Sequence, residues 1–229
     1  PYRLVYAKAA AEETPEGPSL QMTELILLRH GETVGQSSIR LYGATDIALS
    51  PIGEQQAARA ALALKAHSFT RIVASPLQRA RKTAEIVHSA QTPSLVALTV
   101  LHDLREVDFG SWEGLTWAEV ESRDPDNHRA WTRERLQFTY PGGEARQDFH
   151  RRVHTAALAI PEHPGPTLAV LHKGVIKAVI AALTGMPAEE ASQLPVPLGS
   201  LQHLHHTGDT WRLTAVGRTD HLGDLYIPD

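Results

Sequence analysis

The chain contains no cysteine. That absence removes a disulfide framework, a thiolate nucleophile and any sulfur-ligated metal centre. Long apolar runs are missing as well, since no stretch approaches the roughly 20 residues needed to cross a bilayer. Residues 1–21 lack the basic start, apolar centre and small-residue cleavage site of a secretory signal. An excess of positive charge is also absent. With a formal net charge of -4, wholesale binding of nucleic acid is excluded, and any attraction for an anion has to be local. The expectation is a cytoplasmic protein with neither a membrane nor a nucleic-acid partner.

What is present suits a folded domain. Of the 229 residues, 42% are hydrophobic, enough for one sizeable core. The stretch "YAKAAAEETPEGPSLQ" mixes alanine, glutamate, proline and glycine without periodicity, and Met22 stands just before the first strong strand pattern. Residues 1–21 are therefore expected to be a leader or a loosely ordered extension, and residues 22–229 a single domain.

From Met22 onward strand patterns alternate with helix patterns. Leu25–Leu28 reads as a buried strand, and Pro51–Ala66 as an alanine-rich helix with Ser50 as N-cap and Pro51 at its first position. "RIVAS" (71–75) predicts a short strand, followed by a helix over 76–90 in which Ser75 and Gln78 have capping-box spacing. Residues 95–104 supply another extended stretch, "TLAVLH" (167–172) a buried strand, and "GVIKAVIAALTG" the helix after it. "SLQHLHH" and "TWRLTAV" read as a hairpin around Thr207-Gly208-Asp209. This alternation predicts an α/β fold, a three-layer α/β/α sandwich with a mostly parallel central sheet.

Residues 111–143 depart from the pattern. They hold three of the four tryptophans, Trp112, Trp117 and Trp131, and end in the turn-like Pro141-Gly142-Gly143. We expect a small, mainly helical cap insertion over the active site, serving either as a lid or as an ordinary packed excursion.

The strand ends carry the chemistry. "LILLRHG" runs four apolar residues straight into Arg29 and His30, "AVLHKG" ends in His172, and Arg79 falls in the first turn of the second helix. Ligands of open α/β sheets bind beyond the carboxyl ends of the strands, so these ends deliver two arginines and two histidines to one rim. The helix start at Ser75 was expected to add free N–H groups there. Such a pocket suits a phosphoryl group: guanidinium forks match its oxygens and an imidazole can attack its phosphorus.

Five blocks in order, "LRHGET" (28–33), "SPLQRARKTAEI" (75–86), "LREVDFGSWEG" (104–114), "PGGE" (141–144) and "VLHKGVIKAV" (170–179), resemble the histidine phosphatase superfamily, in the branch holding cofactor-dependent phosphoglycerate mutases and related phosphatases. The resemblance implies His30 as nucleophile, Arg29, Arg79 and His172 as ligands of the phosphoryl oxygens, and Glu106 as the acid for the leaving group. It implies no cofactor and no metal. Residues 39–57 resemble the stretch after the nucleophile in family phosphatases, including alpha-ribazole phosphatases, and offer Arg40 and Tyr42 as substrate contacts. Glu144, closing its block, joins them.

Three positions depart from the family pattern. Gln36 stands where many members have Asn, Lys173 where a second Gly is usual, and the block around His221 lacks the Asn that often precedes it. Gln36 can still donate an amide hydrogen bond, Lys173 either crowds the pocket or adds a cation, and His221 is expected to be structural. Among the remaining histidines, 203 and 205 share a strand face while 206 opposes them, and with no carboxylate nearby in sequence no metal site is expected. The implied activity is hydrolysis of a small phosphorylated metabolite through a phosphohistidine. A phosphoglycerate mutase-type transfer is the enzymatic alternative, and a non-catalytic phosphate-binding module the other. Formation of a homo-oligomer is compatible with the sequence.

Overall fold

The computed structural model describes residues 23–91, 96–162, 165–207 and 210–228. The expected leader and the Gly208-Asp209 turn lie outside the described residues. Six strands form one sheet: β1 (Thr23–Arg29), β2 (Arg71–Ala74), β3 (Ala97–Val100), β4 (Thr167–Leu171), β5 (Leu201–Thr207) and β6 (Thr210–Arg218). Their order is β3-β2-β4-β1-β5-β6, with β3, β2, β4 and β1 mutually parallel and β5 antiparallel to both of its neighbours. Hence the sheet is mostly parallel, as expected.

The apolar runs of β1 and β4 make sense because both faces of the sheet are covered. Successive side chains point to opposite faces, so Leu25, Leu27, Val73, Ala169 and Leu171 enter one core while Ile26, Leu28, Ile72, Leu168 and Val170 enter the other. Helices α1 (Pro51–Ala63) and α2 (Gln78–Ser89) cover the second face through Ala60, Ala80, Ala84 and Val87. Helices α5 (Arg146–Ala159) and α6 (Lys173–Thr184) cover the first through Val153, Val175 and Val179. Each fully buried Leu or Ile contributes roughly 1.5–3 kcal/mol of transfer free energy. The two cores thus fix the strand ends rigidly.

Helix α1 ends at Ala63, three residues short of the expected Ala66, and the other termini follow their sequence signals with one exception. Ser50 Oγ accepts from Gly53 N at 3.1 Å to open α1, and Gly185, at φ 72°, closes α6 in the left-handed region. The exception is α2, which begins at Gln78 behind Leu77 and not at Pro76. The expected Ser75/Gln78 box is absent because a residue from another loop does the capping: Asp46 Oδ1 accepts from Gln78 N at 2.7 Å. Strand β3 is also shorter than the extended stretch read from the sequence, since residues 102–104 turn into a 3-10 helix that buries Leu104.

Residues 111–143 are helical, with α3 (Trp117–Arg123) and α4 (Pro125–Glu134). Trp112 is fully buried, packs on Phe138 with ring centroids 5.5 Å apart and donates Nε1–H to Asp124 at 2.9 Å. Trp117 and Trp131 lie 4.5 Å apart. Trp112, Val120, Phe138 and Tyr140 belong to the first core itself. The aromatic residues thus pack the segment against the sheet. Short α7 (Ala188–Ser192) packs beside α6.

Candidate active site

Pairing of β1 with β4 sets the centre of the rim. Arg29 stands opposite Leu171, and His30 N donates to Leu171 O at 3.1 Å, so His30 and His172 emerge side by side with ring centroids 5.1 Å apart. Both are buried. His30 Nδ1 lies 2.7 Å from Gly31 O. A carbonyl oxygen only accepts, so Nδ1 carries the proton and Nε2 keeps its lone pair. Burial, then the charges of Arg79 and Arg29, drives the His30 pKa well below the ordinary value of 6.5. The ring is neutral at physiological pH.

His172 is held from its other side. Its Nε2 lies 2.7 Å from Ser75 Oγ, and the same Oγ accepts from Leu77 N at 3.3 Å. When Ser75 gives its hydroxyl proton to Nε2, the proton of His172 sits on Nδ1. That atom is buried and hydrogen-bonds to nothing among the described residues. Burial, followed by the charges of Arg79, His30 and Arg29, keeps His172 neutral too.

Arg79 reaches the rim from the first turn of α2 and is completely buried. Its guanidinium donates to the carbonyls of Thr45 (2.9 Å), Tyr42 (3.0 Å) and Gly43 (2.8 Å), while Nε has no partner among the described residues. Glu113 grips the opposite side of this loop, its carboxylate accepting from the N–H groups of Gly43 (3.0 Å) and Ala44 (2.9 Å). The loop is clamped by its main chain between a cation and an anion. Burial pulls the Arg79 pKa from 12.5 to about 10, against the supporting charges of Glu106, Glu113 and Asp46, so it stays protonated. Arg29 is buried beside it and donates to Val196 O at 2.7 Å.

Glu106 closes the rim. Its carboxylate accepts from Val107 N and from Gly174 N, each at 2.9 Å. The second bond ties it to the N-terminus of α6, whose partial positive charge favours the anion. Burial nevertheless dominates and raises its pKa above 4.5, with the two backbone bonds and Arg79 opposing. A Cβ on Gly174 would stand 2.6 Å from Glu106 Oε1, so only glycine leaves the carboxylate its place.

A neutral imidazole with an exposed lone pair, two buried guanidinium groups and a protonatable carboxyl thus meet at the carboxyl ends of parallel strands. The family model described as histidine phosphatase superfamily, branch 1, matches residues 25–219. The chain belongs to the histidine phosphatase superfamily.

Relatives in that superfamily include a protein named as bifunctional from Mycobacterium tuberculosis, 36% identical over 203 residues that cover 85% of this chain and 55% of the relative. The chain thus spans about half the length of the first curated relatives it matches. Glucosyl-3-phosphoglycerate phosphatase of the same organism is 35% identical over 178 residues, covering 73% of this chain and 78% of the relative. Among solved structures, the alpha-ribazole phosphatase of Shigella flexneri superposes with a TM-score of 0.76 at 29% identity, covering 85% of this chain and 96% of that one.

Five of the residues singled out from the sequence converge: Arg29, His30, Arg79, Glu106 and His172. Five others do different things. Arg40 donates to Gly114 O (2.8 Å) and Glu119 (2.9 Å), which ties the rim to the insertion and leaves its guanidinium engaged with protein. Glu144 forms a two-pronged ion pair with Arg152 at 2.7 and 2.8 Å instead of facing a ligand. Gln36 is exposed at φ 64°, in a turn closed by its N–H onto Thr33 O. Lys173 opens α6 beside the site, half-buried. Tyr42 packs over Gly35, where a Cβ would come within 2.6 Å of its ring. The free N–H groups expected at Ser75 are not delivered, because Asp46 and Ser75 Oγ take those of Gln78 and Leu77.

Sequence reasoning missed Arg152, the partner of Glu144. Arg152, on α5, also donates to the carbonyls of Asp103 (2.7 Å), Arg105 (2.7 Å) and Glu106 (3.1 Å). It fixes the backbone that presents the carboxyl group. No local motif announces an arginine lying 46 residues from the carbonyl it holds.

Proposed function

We propose that the chain is a phosphomonoester hydrolase working through a phosphohistidine at His30, on a small phosphorylated metabolite and without a metal. The observation carrying this reading is the fixed tautomer of His30, whose Nε2 lone pair lies among Arg29, Arg79 and His172. In the first step Nε2 forms a bond to phosphorus as the P–O bond to the leaving alkoxide breaks, and Glu106 gives that oxygen its proton. Charge on the three equatorial oxygens is met by the guanidinium N–H groups and by His172 Nδ1–H. In the second step ionised Glu106 takes a proton from water, which attacks phosphorus and releases His30. Orthophosphate leaves.

A groove of about 460 Å³ runs between α4, α5, α6 and α7, lined by Trp131, Arg135, Arg146 and His150; it meets the site only at Gly174, and none of the five converging side chains is among its walls. Its aromatic and cationic walls suit a sugar or an acidic group. That supports a phosphorylated sugar acid or nucleoside-like metabolite, the classes named for relatives.

Rapid mixing with a radiolabelled phosphomonoester tests the mechanism. The expected result is acid-labile, alkali-stable label on wild-type protein, none on His30→Ala, and nitrophenyl phosphate turnover that survives EDTA. Label handed to a phosphoglycerate faster than to water would mark a mutase. Absence of both label and turnover on a panel of phosphate esters would leave only a binding module.

A further inference from the structure

Three histidines at the opposite end of the sheet have no part in this chemistry. The expectation that no carboxylate lies near them fails, because β1–β5 pairing places Glu24 directly opposite His205 and Ile26 opposite His203. Paired residues of neighbouring strands share a face, and residues two apart on one strand do also. Glu24, His203 and His205 therefore project from one side. It is the side of α1, and the turn after that helix brings His67 to the same place, stacked on Phe69.

Around the Glu24 carboxylate stand three imidazoles: His67 Nδ1 at 3.4 Å, His203 Nδ1 at 3.8 Å and His205 Nε2 at 3.8 Å. One ligand atom from each of Glu24, His203 and His205 lies within 4.8 Å of the others. We propose that Glu24, His203 and His205 bind a zinc-class divalent cation, the fourth position falling to water or to a rotated His67. Tetrahedral zinc with bonds of about 2.0–2.1 Å holds its ligand atoms about 3.3 Å apart, a contraction within the reach of small side-chain rotations. Imidazole and carboxylate donors favour zinc, nickel or copper, whereas magnesium and calcium require oxygen ligands. All four side chains are half-buried, so an ion can enter.

The site is structural. Glu24 and His30 are six residues apart on one extended strand, which separates the ion from the reacting phosphorus by about 20 Å. A bound ion would join β1, β5 and the α1–β2 turn. It stabilises the fold without touching the rim, and the inference stands or falls independently of the phosphatase reading.

The test uses the full chain, stripped with a chelator and titrated with zinc sulfate against a chromophoric competitor. One zinc per chain at micromolar or tighter affinity is expected, with a rise in Tm on the order of 5 °C at a hundredfold excess over Kd and none with magnesium. Glu24→Gln and His205→Ala should each weaken binding at least about tenfold, the scale at which losing a ligand registers. His206→Ala serves as control, since His206 pairs with Thr23 on the other face and packs on Trp211 at 5.1 Å. Circular dichroism confirms folding of each variant. Zinc binding that is absent from the wild type, or equally weakened by His206→Ala, overturns the proposal and leaves an ion-pair cluster.

Discussion

Histidines gather at both ends of one mostly parallel sheet, and their surroundings give them opposite uses. At the carboxyl ends, His30 and His172 are exposed by only 4% and 1% and face Arg29 and Arg79. Burial and positive neighbours hold both rings neutral, which suits the nucleophile and anion-binding roles proposed for them. At the amino ends, His67, His203 and His205 are half-buried around a single carboxylate. Water access and a negative centre suit a cation. The residue type is the same, and the sign of the partner charge decides which ligand is drawn.

The sharpest way to break this contrast is at the rim. Glu106→Gln should lower kcat for alkyl phosphates about 10²–10⁴-fold, the usual worth of general acid–base help, and far less for nitrophenyl phosphate, whose leaving group needs no proton. The same variant tests the sign of the pKa shifts. His30 must be unprotonated, so wild-type kcat/KM rises as pH climbs through its lowered pKa, and Glu106 must be protonated, so activity falls again through its raised pKa. Loss of the alkaline limb in Glu106→Gln, with the acidic limb retained, is the expected profile. Equal losses on both substrates would contradict the assigned acid.

A smaller effect is expected from Arg152→Met. Removing one partner of this half-buried pair should cost about 1–3 kcal/mol, since Arg105 stays 3.7 Å from Glu144 and compensates part of its charge. Thermal unfolding should register that loss, and kcat for alkyl phosphates should fall more than for nitrophenyl phosphate if Arg152 acts by holding Glu106. A drop in Tm with both substrates equally affected would reduce Arg152 to a stabilising role. The smallest effect belongs to the other end of the sheet: Glu24→Gln should leave kcat/KM unchanged while abolishing the zinc response. Any matching loss of turnover would link the two ends and end the comparison.

Strands β1 and β4, helices α1 and α6 and the five converging residues were legible because their signals are local. Apolar runs end in charged groups at His30 and His172, Ser50-Pro51 marks a helix start, and Gly185 marks an end. What stayed hidden depends on residues brought together by folding. Asp46 caps α2 from 32 residues away, Arg152 reaches back to the backbone of Glu106, and Glu24 meets histidines near the other end of the chain. Arg40 and Glu144 misled for the same reason. A charged side chain near a rim looks ready for substrate until its protein partner is seen.

The loop at residues 42–45 has a practical corollary. Arg79 takes its carbonyls and Glu113 its amides, so recognition runs entirely through peptide groups. Gly43 alone has no room to grow, since a Cβ there would meet Val107 O at 1.7 Å. Ala44 and Thr45 point outward. Libraries varied at those two sites would change the outer face of the loop while the peptide contacts behind it stay in register.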